Sequence, residues 1–311
     1  MKRVVSVSLG SSTRDHHVTL RLLGQDISIE RVGTNGDVAR AIQLYRELDG
    51  KVDALGVGGI DLYVTVKGRP YPLRPALKLV ADLRQTPAVD GAIVRSVLER
   101  RIMQVVEAEM GEQIPVKRAI ITSAVDRYDM AVSFDEAGYE TIYCDLMWAL
   151  GAPLPLRGIR TLEHVAALLM PVLGHLPLDM IYPTGEKQHT IVPRWGKYYD
   201  WGTVIAGDFN YIKRHLPDRL DGKVIVTNTT TQDDATLLRA RGAAYLVTTT
   251  PRFEGRTFGT NVIEATLIAL SGEGRVLTRD EVAALVDEFD FRPTITRLNS
   301  STGDDTMKNG G

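Results

Sequence analysis

The chain predicts an α/β fold: two Rossmann-like domains with mainly parallel sheets and a cleft between them. Short apolar runs of strand length alternate with segments of helical period, and run after run ends in a loop of Gly, Ser, Thr or Asn. Strand, loop, helix and strand in repeated order require parallel pairing through right-handed crossovers. The length of 311 residues points the same way, since one small core cannot absorb so long a chain.

The first run, residues 3–9, leads into Gly10-Ser11-Ser12-Thr13. Alternating segments at 18–23 and 27–32, split by Gly24-Gln25-Asp26, predict a hairpin. Asp37 is placed to cap a helix whose apolar positions Val38, Ile42, Tyr45 and Leu48 recur at helical spacing. A buried strand at 52–57 runs into Gly58-Gly59, and Lys67-Gly68-Arg69 turns a second hairpin between 62–66 and 71–73. Residues 75–110 read as helical with a break at Thr86-Pro87. A strand at 116–122 follows, then a helix at 127–137 closed by Gly138, a strand at 139–143 and a short helix at 145–150 closed by Gly151. The run Ala152-Pro153-Leu154-Pro155-Leu156 suits neither element. The predicted division is therefore a first domain of 1–155, a second of 156–299 and a flexible tail of 300–311. Strands at 179–182, 203–206, 223–227 and 244–247 build the second domain, with helices at 162–173, 233–241, 261–270 and 279–289.

Hydrophobic residues make up 44% and charged residues 24%, the balance of a globular chain, which excludes disorder. Lys plus Arg number 37 against 39 Asp plus Glu, leaving a formal charge of -2. That balance lacks the concentrated positive field of a nucleic-acid binder, so no nucleic-acid partner is expected. The one cysteine, Cys144, forms no intrachain disulfide. The first strand begins close to the opening methionine, and Pro171 and His175 interrupt the longest apolar stretch. The expectation is a cytoplasmic chain with no membrane partner, compatible with a homodimer. His16 and His17 are adjacent on a strand and point to opposite faces, so no metal site is expected.

In open parallel sheets, ligands bind beyond the carboxyl ends of the strands. Small polar residues gather there: Ser11 and Ser12; Thr184 and Gly185; Gly207 and Asp208; Asn228, Thr229 and Thr230; Thr248, Thr249 and Thr250. Hydroxyls and exposed amides suit phosphate or carboxylate oxygens, although the same residues commonly cap helices. Gly56-Val57-Gly58-Gly59 follows a strand, but Ile60-Asp61-Leu62-Tyr63 is extended, so the helix that a dinucleotide fingerprint needs is missing. Lys187 and Asp208 each sit just past a strand and form a candidate proton-transfer pair, against the alternative of a surface ion pair. Arg252 and Arg256, with Asn261 nearby, are candidates to clamp an anion. Trp148, Trp195, Trp201, Tyr198 and Tyr199 read first as packing residues.

Segments 5–14 (VSVSLGSSTR), 56–63 (GVGGIDLY), 182–188 (YPTGEKQ), 206–212 (AGDFNYI), 227–231 (TNTTT) and 248–264 (TTTPRFEGRTFGTNVIE) resemble a bacterial family labelled quinate 5-dehydrogenase. That family is distantly related to the shikimate and quinate dehydrogenases. The resemblance implies an oxidoreductase that uses NAD or NADP to oxidise a ring hydroxyl of a quinate- or shikimate-like hydroxy acid. On it, Lys187 and Asp208 are catalytic. Thr184, Gly185, Gly207, Asn228, Thr229, Thr230, Thr248, Thr249 and Thr250 line the cofactor. Ser11, Ser12, Arg252, Arg256 and Asn261 hold an anionic small-molecule substrate. Two rival readings stay open: a transferase or lyase acting on a phosphorylated metabolite, and a metabolite-binding regulatory protein.

Overall fold

A computed structural model describes residues 1–22, 24–177, 191–250, 252–253 and 256–299, with the backbone alone at 252–253 and 256–257. In chain order the strands are β1 (Lys2–Ser8), β2 (His16–Leu22), β3 (Gln25–Gly33), β4 (Ala54–Gly58), β5 (Tyr63–Val66), β6 (Arg69–Pro72), β7 (Ala88–Val89) and β8 (Arg118–Ile121). They continue as β9 (Glu140–Tyr143), β10 (Leu156–Arg157), β11 (Val204–Ala206), β12 (Val224–Thr227), β13 (Tyr245–Thr248), β14 (Arg252–Phe253), β15 (Arg256–Thr257) and β16 (Thr294–Arg297). The helices are α1 (Val38–Leu48), α2 (Arg74–Val80), α3 (Ala92–Arg100), α4 (Ile102–Met110), α5 (Tyr128–Glu136) and α6 (Asp145–Leu150). After them come α7 (Ile159–Leu173), α8 (Gly196–Trp201), α9 (Phe209–Arg214), α10 (Gln232–Ala240), α11 (Thr260–Ser271) and α12 (Arg279–Glu288).

The chain forms two compact units, each drawn from three stretches: 1–97, 165–188 and 252–291 in the first, and 98–164, 189–251 and 292–311 in the second. The α/β expectation with mainly parallel sheets holds in both. The first unit carries a five-stranded sheet of order β2-β3-β1-β4-β7, parallel except for the β2–β3 hairpin. β1 sits in the middle and is buried without alternation from Val4 onward, as a strand covered on both faces must be. α11 lies against β1 and β4 and is buried from Val262 through Leu270. α1 is capped by Asp37 as expected, and its Tyr45 hydroxyl donates to Val7 O at 2.9 Å, pinning helix to strand.

The second unit carries a seven-stranded sheet of order β10-β9-β8-β11-β12-β13-β16. Its five inner strands are parallel, and antiparallel β10 and β16 close the two edges. Ile120, Ile142, Ile205, Ile225 and Leu246 contribute one apolar residue from each inner strand to a core completed by Trp148, Tyr199, Phe209 and Leu238. The aromatic group of residues 148–201 therefore packs inside the unit.

Several local expectations change. The stretch 75–110 is not all helix: past Thr86-Pro87 it enters β7, which pairs in parallel with β4. The Ala152–Leu156 run lies inside the second unit, where β10 pairs back onto β9. Cys144 is fully buried, and burial pushes its thiol well up. The strand expected at 179–182 and the tail at 300–311 lie outside the described residues. No helix among the described residues is long and apolar enough to cross a membrane.

Candidate functional site

Strand order locates the site in the second unit. The chain leaves β8 through α5 to reach β9 on one side, then returns to place β11 on the other side of β8. Crossovers diverge there, the position at which ligands bind in open parallel sheets. Thr122 and Ser123 leave β8 at this point, and Gly207 and Asp208 leave β11. Gly207 takes φ +128, and a Cβ on it would stand 2.3 Å from Thr122 Oγ1, so only glycine fits.

Asp208 caps α9 by accepting from Asn210 N at 2.9 Å, while its other oxygen accepts from Asn228 Nδ2 at 2.9 Å and Arg127 Nη2 at 2.7 Å. Arg127 also pairs with Glu99 of α3, and both of those side chains are almost wholly buried, at 3% and 1% exposure. Asp208 keeps 16% of its side chain exposed. Asp126 lies at 3.9 Å from the same guanidinium. Asn228 is oriented from its other end, where Oδ1 accepts from Thr227 Oγ1 at 3.0 Å and Phe209 N at 3.4 Å. The result is a mostly buried carboxylate held in place by a buried cation and an amide, with Ser123 beside it and half-buried Thr229 and Thr230 on the next loop.

Thus Gly207, Asp208, Asn228, Thr229 and Thr230 share one rim. Thr248, Thr249 and Thr250 reach the same edge but are buried, and they serve the scaffold: Thr249 N donates to Thr227 O at 2.8 Å and the Thr250 hydroxyl to Asn228 O at 3.1 Å. Ser11, Ser12 and Asn261 belong to the first unit. Ser11 and Ser12 are engaged locally, with Thr13 and Asn35. Asn261 donates to Ser6 Oγ at 2.7 Å within the packing of α11. Lys187, Thr184 and Gly185 lie outside the described residues, as do the side chains of Arg252 and Arg256 on the β14–β15 hairpin. Sequence reasoning missed Glu99 and Arg127. The available signal was Thr122-Ser123, a small polar pair at the end of a strand like the others, with Arg127 four residues on.

The first unit has a switch point too, between β1 and β4. Its loops close on each other: Gly10 N donates to Ser8 Oγ at 3.1 Å, Leu9 N to Gly58 O at 3.1 Å, and a Cβ on Gly58 would meet Ser8 Cβ at 2.8 Å. Beyond β4 and β7 lies a buried acidic network. Asp61 pairs with Arg95 at 2.8 Å, Asp90 accepts from Leu62 N and Ala92 N, and Glu264 accepts from Ile93 N and Val94 N at the start of α3. Burial pushes Glu264 up to about 8, with the neighbouring Asp90 adding to the effect.

The family model described as "Domain of unknown function (DUF8754)" matches residues 93–298, and another, "Domain of unknown function (DUF8753)", matches residues 3–90. No curated protein matches the chain. Similar solved structures include GanP, a glucose-galactose binding protein from Geobacillus stearothermophilus (10% identity, 96% of this chain and 97% of that one, TM-score 0.41). A periplasmic ribose ABC transporter protein from Conexibacter woesei DSM 14684 matches at 12% identity over 92% of this chain and 94% of that one, TM-score 0.36. An NAD-dependent malic enzyme from Thermotoga maritima matches at 12% identity over 97% and 81%, TM-score 0.40.

These findings correct the earlier expectations. The resemblance to quinate 5-dehydrogenases is overturned, because the matching family models carry no such description and sugar-binding proteins stand among the similar structures where shikimate and quinate dehydrogenases were expected. The NAD(P)-dependent oxidation of a ring hydroxyl, with Lys187 and Asp208 as its catalytic pair, falls with it. The cytoplasmic placement is withdrawn as well; a periplasmic protein stands among the similar structures. With its match running from residue 93 to residue 298, more than half of the chain, this protein belongs to the DUF8754 family.

Proposed function

We propose that the chain binds a small, neutral, hydroxyl-bearing metabolite at the rim of its second unit. The observation that carries this reading is the Asp208 carboxylate, mostly buried but still 16% exposed at the switch point and fixed there by Arg127 and Asn228. A carboxylate held still accepts hydrogen bonds from ligand hydroxyls at little further loss of freedom. Ser123, Thr229 and Thr230 beside it both donate and accept. The charge is wrong for an anion: among the described groups Arg127 faces Glu99, Asp208 and Asp126, so a phosphate or carboxylate would meet more negative than positive charge. The metabolite-binding reading therefore fits this rim better than a phosphate cradle does.

The test is thermal stabilisation of the full chain by millimolar D-galactose, D-ribose and myo-inositol, beside inorganic phosphate and NAD⁺. At least one neutral polyol raises the melting temperature, and Asp208→Asn, which keeps the helix cap but removes the charge, loses that rise. Stabilisation by phosphate or NAD⁺ alone contradicts the reading, as does an unchanged response in Asp208→Asn.

A further inference from the structure

We propose that His215 clasps the segment of residues 191–195 onto the second unit, and that protonation of its imidazole releases that segment. The chain passes from the first unit into the second just ahead of this segment. Two bonds pin it to the end of α9: Val192 N donates to Arg214 O at 2.9 Å, and His215 Nδ1 donates to Val192 O at 2.8 Å. A carbonyl only accepts, so Nδ1 carries the ring's proton in this arrangement. Ile191 and Trp195 pack against the apolar core on either side of the clasp, whereas Val192, Pro193 and Arg194 are exposed. Trp195 is held at φ +63, in the left-handed region that a bulky residue rarely adopts. Its indole Nε1 is buried with no hydrogen-bond partner among the described residues. The segment is thus strained at one end and clasped near the other.

The surroundings of the ring suit a neutral imidazole. His215 is 5% exposed, and its ring stands edge-on to Trp148 of α6 with 5.2 Å between centroids. Among the described residues the charged groups that face it are cations: Arg214 beside it in the chain and Arg194 on the clasped segment. Lys213 on α9 is paired with Asp234. Asp218, the nearest carboxylate along the chain, lies 3.7 Å from Arg241 and is almost wholly exposed. Tyr199 of α8, against the same Trp148, is a neutral phenol that donates to Ile212 O. Burial lowers the imidazole below its usual 6.5, Arg214 and Arg194 add to that, and the Val192 carbonyl opposes it. The clasped ring therefore holds a proton less tightly than a solvated one, so acid favours the released segment. The clasp is complete above about pH 6.5 and is lost as pH falls through the lowered value.

The clasp involves no ligand, so its test is independent of the proposed function and uses the free, full chain. Hydrogen exchange is followed in peptides covering residues 191–195 and 224–227 at about pH 5 and about pH 7.5, corrected for the intrinsic rates. In the unaltered chain residues 191–195 exchange several-fold faster at the acid pH, while the inner strand β12 at 224–227 keeps its protection. His215→Asn, whose side-chain amide donates to Val192 O without titrating, exchanges alike at both pH values. Apart from any variant, the His215 ring followed by NMR titrates with its midpoint below about 6.5. Equal protection of residues 191–195 at both pH values overturns the proposal. So does an acid response that persists in His215→Asn, one that 224–227 shares in full, or a His215 midpoint at or above about 6.5.

Discussion

The two units share a plan and treat its weak point differently. Each sheet has a central strand from which the crossovers diverge, β1 in the first unit and β8 in the second. In the first, backbone closes the crevice: Thr34, Asn35 and Gly36 donate to the carbonyls of Ser8, Gly10 and Leu9, and Gly58 lies flat against Ser8. In the second, Thr122 N likewise donates to Ala206 O at 2.9 Å, but charged and amide side chains gather over that contact and Asp208 keeps 16% of its side chain exposed. Topology offers a binding position to both units, and the residues placed there decide whether it is kept.

The largest expected effect comes from Arg127. Arg127→Met takes the guanidinium away from the buried Glu99 carboxylate and should lower the stability of the second unit by about 3–5 kcal/mol, read from the urea midpoint. If it proves neutral, side-chain charge does not hold that crevice together. The two glycines compare the crevices directly. Gly207→Ala forces a side chain into φ +128 and against Thr122, an expected loss of about 3 kcal/mol. Gly58→Ala, free of the φ strain, meets only Ser8 and should lose about 2 kcal/mol.

The units should also answer pH in different windows. Glu264 in the first is raised from 4.5 to about 8, so the folded state holds a proton that the unfolded state releases. Stability contributed there is complete below about pH 4.5, falls as pH rises toward 8 and is level beyond, at no more than about 1.4 kcal/mol per pH unit. Asp145 in the second, raised from 3.8 to about 6, has the same sign over a lower window. Unfolding followed against pH should lose its upper slope in Glu264→Gln and its lower slope in Asp145→Asn. The smallest effect is expected from Asn228→Ala, about 1 kcal/mol, from the bond to Asp208.

Most of the strand and helix succession was legible in the sequence, because apolar period, Asp37 as a cap and the Lys67-Gly68-Arg69 turn are local signals. β7 was not, since two residues between helices carry no period of their own and gain strand geometry only by pairing with β4. β16 was missed for the same reason: Thr294 to Arg297 alternates weakly and is fixed by β13. In the rim, Gly207, Asp208 and Asn228 were visible as small polar residues after strands. Thr248, Thr249 and Thr250 looked identical to them in sequence, yet packing turns them inward. Glu99 and Arg127 lie 28 residues apart in chain and meet only when α3 and the β8 loop are assembled, a pairing that no local pattern encodes.

The central claim, that the second unit's rim and not the first unit's crevice takes the ligand, is tested most directly by a hydrogen-exchange footprint with the neutral polyol that stabilises the chain. Added protection should fall on residues 122–127, 207–210 and 228–230, with residues 8–10 and 58–59 unchanged. Protection confined to residues 8–10 and 58–59, with the Asp208 rim unaffected, would contradict it.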